Sequence, residues 1–148
     1  MSVRVADRDE SSVEFLNVLL ELNKKIGITV ANGPKKYIHT YGDKLVALAL
    51  DAYAHAVEAN SIYVGRGANA EGDARLRRDL FLRARGEVKA IASIASVYFR
   101  ILRDANSVNP STKDKASARM ESVGNLCYKA SNLLTGVIKS DKERYNIK

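Results

Sequence analysis

The sequence predicts an all-α protein, an antiparallel up-down four-helix bundle built as one domain over residues 1–148. Three observations carry this. Apolar residues recur at steps of three and four over long stretches, the spacing that lines one face of an α-helix. Only 2 prolines stand among 148 residues, so those stretches run with few interruptions. Strand signals are thin, because the β-branched runs are short and fall inside helical spacing rather than strict alternation.

The first helix is expected to start at Ser11. Ser11 and Glu14 have the spacing of a capping box, in which each side chain satisfies the other residue's backbone N–H. Phe15, Leu19, Leu22 and Ile26 then form one stripe, and Ala31-Asn32-Gly33-Pro34 ends the helix. The second is expected after Gly42, with Asp43 as its N-cap. Leu45, Leu48, Ala52, Ala56 and Ala59 mark its inner face, small-sided enough for a neighbour to approach closely. Val64 to Gly72, with three glycines, reads as a loop.

The third helix is the longest, about residues 73–105. Its stripe is Leu76, Leu80, Ala84, Val88, Ile91, Ala95, Tyr98 and Leu102. Asn106 to Pro110 ends it, and Ser111 is the expected cap of the fourth helix. There Ala116, Met120, Val123, Cys127, Ala130, Leu134 and Val137 alternate steps of four and three, a heptad seam. Short connections between such helices favour antiparallel packing. The pattern fades from Ser140, so residues 1–10 and 142–148 are expected to be loose.

Composition narrows the function. The chain is 46% hydrophobic and 28% charged, which suits a globular domain. It has no run of about 18 apolar residues and no secretory signal at its start, so a cytoplasmic protein without a membrane partner is expected. One cysteine, Cys127, excludes an internal disulfide framework. The net charge of +7 is one-sided. Residues 1–70 carry 8 basic and 8 acidic side chains, whereas residues 71–148 carry 16 and 9. Such an imbalance suits a polyanion or an acidic partner, and it also suits plain solubility.

Catalytic patterns are missing. His39 and His55 have no Cys, His, Asp or Glu at metal-ligand spacing, so neither a metal nor another cofactor is expected. Cys127 sits in the seam of the fourth helix and reads as a buried, inert thiol. Gly65, Gly67 and Gly72 do not match a phosphate-binding spacing and follow no strand. With no nucleophile–base pair and no carboxylate dyad, the chain is not expected to be an enzyme.

Two features stand out on the third helix. At about 100° per residue, Arg75, Arg78, Arg85, Lys89, Arg100 and Arg103 fall within about 80° of one another, opposite the apolar stripe. Such a row could track a phosphate backbone, each contact adding affinity and salt dependence. It could equally be a solvated helix face. Glu87 lies at the edge of the apolar stripe, where a carboxylate needs a partner. An arginine or tyrosine of another helix, or a neighbouring subunit, is expected to supply it, making Glu87 a buried structural tie. Gly86 beside it suggests a close helix–helix approach.

Several segments resemble a known family. They are Gly33-Pro34-Lys35-Lys36-Tyr37, Leu45, and the run Ala56-Val57-Glu58-Ala59-Asn60-Ser61-Ile62-Tyr63. Arg85-Gly86-Glu87-Val88 matches a place where the family has a small residue followed by glutamate. Leu133 to Asp141 resembles its closing helix, although members often carry a tryptophan after the glycine and this chain has Val137. The family is that of four-helix bundles encoded in intervening sequences of 23S ribosomal RNA genes, together with the accessory variability proteins of diversity-generating retroelements. The resemblance covers about residues 11–141.

The retroelement branch implies a non-enzymatic protein that assembles as a pentameric barrel. It implies binding to the element's reverse transcriptase and, through a basic surface, to RNA or the DNA copied from it, in support of mutagenic reverse transcription. Leftover apolar positions such as Leu16, Leu20, Val46 and Tyr53 would then form the homo-oligomer interface. The alternative is a structural or regulatory bundle of the ribosomal-insert type with no reverse-transcriptase partner.

Overall fold

A computed structural model describes residues 14–147. Four long helices account for most of them: α1 (Glu14–Ala31), α2 (Asp43–Ser61), α3 (Ala70–Asp104) and α4 (Pro110–Tyr145). The protein is all-α, with no strand among the described residues. Each long helix packs against its sequence neighbour, and α1 also packs against α4. No described helix is long and apolar enough to cross a membrane.

The seams meet in one core. Phe15, Leu19, Leu22 and Ile26 of α1 are buried together with Leu80, Ala84, Val88, Ile91, Tyr98 and Leu102 of α3. Val123, Cys127, Ala130 and Leu134 of α4 complete it. Phe15 meets Phe81 edge-on, with ring centres 5.4 Å apart. On α2 the buried face is almost all alanine, Ala49, Ala52, Ala56 and Ala59 behind Leu45, so its backbone can approach its neighbours closely. Asn23 of α1 uses that approach, its Nδ2 donating to the Ala49 carbonyl at 2.9 Å.

Several boundaries differ from the sequence expectation. Ser11 lies outside the described residues, so the capping box does too. Asp43 is no N-cap, because a π turn over Ile38–Gly42 runs straight into α2, and the Asp43 N–H donates to the Ile38 carbonyl. The short helical segment Lys35–Tyr37 precedes that turn. Ala49, not Leu48, is fully buried on α2, and Leu48 is half-buried. α3 begins at Ala70, so Gly72 is helical rather than loop. Leu76 is 51% exposed. Successive steps of four rotate a stripe by about 40° each, so Leu76 lies about 80° from Ala84 and falls off the core side. Gly86 is exposed, and a Cβ there would meet nothing within 4 Å, so it marks no close approach.

The fourth helix is capped by Asn109, whose side chain accepts from the Thr112 N–H at 2.8 Å, with Pro110 as first helical residue. That displaces Ser111 from the role, since proline suits the position where the N–H would be unsatisfied. The helix does not loosen after Ser140. It runs to Tyr145 and closes on Asn146 in the left-handed conformation, with Ile147 N–H donating to the Lys142 carbonyl at 3.2 Å. Ile147 is buried under that closure.

Candidate nucleic-acid interface

The basic row of α3 lies on the side away from the core. Arg75, Lys89, Arg100 and Arg103 are exposed, and Arg78 and Arg85 are half-buried. Three of the six have carboxylates from their own helix close by. Arg75 lies 2.7 Å from Glu71, Arg78 3.6 Å from Asp79, and Arg103 3.4 Å from Asp104. Arg85 leans onto α4, its Nη1 donating to Thr135 Oγ1 at 3.2 Å. Lys89 and Arg100 make no ion pair among the described residues. The exposed pairs at Arg75 and Arg103 are worth at most about 1 kcal/mol each. An arriving phosphate can therefore exchange for those carboxylates at little cost.

Glu87 has a partner other than the expected arginine, tyrosine or neighbouring subunit. His55 of α2 places Nδ1 2.6 Å from Glu87 Oε1, with the two side chains 27% and 17% exposed. His55 thus completes the tie between α2 and α3. No group of three His, Cys, Asp or Glu among the described residues could hold a metal ion. Burial pushes the Cys127 thiol up to about 12, so at neutral pH it stays protonated and unreactive.

A second tie escaped the sequence reading. Arg77 Nε donates to Asp141 Oδ2 at 2.6 Å, Nη2 reaches Oδ1 at 3.5 Å, and Nη1 donates to the Ala59 carbonyl at 3.3 Å. Its guanidinium also lies over the Phe81 ring, 5.0 Å from the centre. One arginine therefore joins α2, α3 and α4. A signal existed, because the α4 seam extended four residues beyond Val137 lands on Asp141, and Arg77 lies seven before Ala84.

The outer face formed by α1 and α2 is chemically unlike α3. Leu16, Val46 and Tyr53 are half-buried against the core, and Leu20 is exposed. Leu50 and Val57, which the sequence reading did not include, are 56% and 41% exposed. Val46, Leu50, Tyr53 and Val57 follow one another at steps of four, three and four, which makes a second apolar stripe on α2.

Searches against protein-family models, curated proteins and solved structures find no match to this chain.

Proposed function

We propose that this chain is a non-enzymatic accessory protein of a diversity-generating retroelement. It binds the reverse transcriptase, and it binds template RNA or its DNA copy through the α3 face. The observation that carries the nucleic-acid part is the row Arg75, Arg78, Arg85, Lys89, Arg100 and Arg103, running along a helix of 35 residues with four of the six exposed. The reverse-transcriptase part rests on the family resemblance of residues 11–141.

The same proposal includes the up-down antiparallel bundle and a cytoplasmic homo-oligomer. Antiparallel order is supported by the ties, in which rising numbers on one helix meet falling numbers on the next. Ala59 and His55 of α2 meet Arg77 and Glu87 of α3. Arg77 and Arg85 of α3 in turn meet Asp141 and Thr135 of α4. Self-association is supported by the stripe Val46, Leu50, Tyr53 and Val57, a contiguous apolar surface of the sort that marks a protein interface. A pentamer is the stoichiometry the resemblance implies.

The test is a salt titration of binding to structured RNA. The triple variant Arg85→Glu, Lys89→Glu and Arg100→Glu is expected to weaken binding more than tenfold with helix content unchanged. It is also expected to flatten the dependence of log K on log salt by about 2–3, the loss of three phosphate contacts. Unchanged affinity would overturn the assignment of this face. The carboxylates beside Arg75, Arg78 and Arg103 favour a second reading, a structural bundle of the ribosomal-insert type whose row is a solvated surface. Absence of any salt-dependent RNA binding by the wild-type chain would select it.

A further inference from the structure

The grooves of this molecule differ in the sign of their walls. Beside Arg66 and Arg144, the groove at the start of α3 carries Glu71. Beside Arg77, the groove along the end of α4 carries Asp141. A third, between α3 and α4, has Glu121. Two adjoining grooves at the opposite end, sharing Asn32, Gly33, Pro34 and Thr112, are lined by no carboxylate. Lys35 and Lys36 line one, of about 550 Å³, and Arg119 lines the other, a crevice of about 10 Å³ with room for a single water.

This end is held together by its own bonds. Lys36 Nζ donates to Ser107 Oγ at 2.6 Å, which ties the α1–α2 connection to the α3–α4 connection. Lys113 Nζ donates to the Arg103 carbonyl at 2.8 Å, which sets the groove's Thr112 beside the end of α3 where Arg100 and Arg103 finish the row. Behind Gly33 stands Tyr98, stacked on Tyr41 with ring centres 5.4 Å apart and edge-on to Tyr37 at 6.1 Å. Tyr98 lines the smaller crevice, and the other two rings pack against it.

We propose that the groove across Gly33–Pro34, charged by Lys35 and Lys36 with Arg119 on the adjoining crevice, binds a phosphate group of a single nucleic-acid strand whose neighbouring phosphates lie along Arg103 and Arg100. The inference rests on the nucleic-acid reading above and extends it from a helix face to a recessed seat. Cations that line a concavity without a carboxylate concentrate positive potential there. In the row, by contrast, Arg103 already shares its charge with Asp104. Asn32 and Thr112 add neutral polar groups at the same opening. Such contacts fix where a strand lies without reading its bases.

The experiment uses the full chain, a labelled single-stranded oligouridylate, and inorganic phosphate as a second probe. Lys35→Glu with Arg119→Glu is compared with Lys129→Glu and Lys139→Glu, an equal charge change at exposed sites elsewhere on α4. The groove pair is expected to raise Kd for the RNA at least tenfold and the control pair less than threefold. Equal effects of the two pairs would overturn the groove while leaving the α3 row intact. The phosphate arm uses wild-type protein alone, so it does not depend on any variant folding. Millimolar phosphate is expected to shift the backbone amide signals of Gly33, Lys35 and Thr112 ahead of all others. If the wild-type chain binds no RNA, the nucleic-acid reading falls. Phosphate-induced shifts would then support the groove as a seat for a small phosphate ligand, and their absence would overturn it.

Discussion

Arg77 and Asp141 form a two-point ion pair in which the arginine side chain is 13% exposed and the aspartate 5%. A charge pair removed from water this far is held by geometry, since desolvation consumes most of the attraction between its members. Replacing one partner leaves the other buried and uncompensated. Arg77→Leu is therefore expected to cost about 3–5 kcal/mol in urea unfolding. Replacing both, Arg77→Leu with Asp141→Leu, is expected to recover most of that loss, and a double variant as unstable as the single one would show that the pair itself contributes the stability.

Gly33 is required for space. A Cβ at this position would lie 2.5 Å from the Tyr98 hydroxyl, and Tyr98 is fixed by the rings of Tyr37 and Tyr41. Gly33→Ala is expected to destabilise the protein by about 1–3 kcal/mol, the usual cost of forcing extra volume into a packed site. Removing the obstructing oxygen with Tyr98→Phe in the same chain is expected to return a substantial part of it. Thermal unfolding of the two singles and the double measures this coupling directly.

Alkaline pH should act through Cys127. In the unfolded chain the thiol loses its proton near 9.0, whereas burial in the fold holds it until about 12. Because the folded value is the higher one, this contribution is present in full below pH 9 and is lost as pH rises toward 12. Tyr98, raised above its ordinary 10.0 first by burial and then by neighbouring Tyr37, adds a loss of the same sign that starts about one unit later. The decline in unfolding free energy between pH 9 and 10 is therefore expected to shrink in Cys127→Ala. A thiol reagent should also label Cys127 far more slowly in buffer than in urea.

The stripe on the outside of α2 gives a prediction that keeps assembly separate from folding. Leu50 and Val57 are exposed enough that a glutamate at either costs a monomer little, within about 0.5 kcal/mol. In an oligomer that closes over this stripe, Leu50→Glu with Val57→Glu places two charges in an apolar interface. Light scattering after gel filtration is expected to report a shift to monomer with circular dichroism unchanged. An oligomer that persists in the variant would place the interface elsewhere.

Much of the helical pattern is readable from spacing alone, because burial repeats with the turn of the helix. The α4 seam and the α3 stripe from Leu80 to Leu102 carry their own register. The errors fall where a stripe drifts around its helix or where a distant partner overrides local spacing. Leu76 fits the stripe by count but is rotated off the core. Asp141 looks like the start of a polar tail until Arg77, 64 residues away, is placed against it. Glu87 was legible as a carboxylate in need of a partner, yet nothing in the spacing of α2 pointed to His55. The cationic row was visible on the wheel. The carboxylate-free groove was not, because Lys35, Thr112 and Arg119 become neighbours only when two connections are brought to one end.

The π turn at Ile38–Gly42 inserts an extra residue into what would otherwise be one continuous helix from Lys35 to Ser61. It acts as a phase shifter. Everything upstream of it is out of step with α2 by one residue, which is about 100° about the axis and about 1.5 Å along it. Deleting a single residue from the turn would relax it to ordinary α-helix while swinging Lys36 away from Ser107 and Tyr37 away from Tyr98. The local backbone would become more regular, and the joint between the two connections at that end of the molecule would come apart.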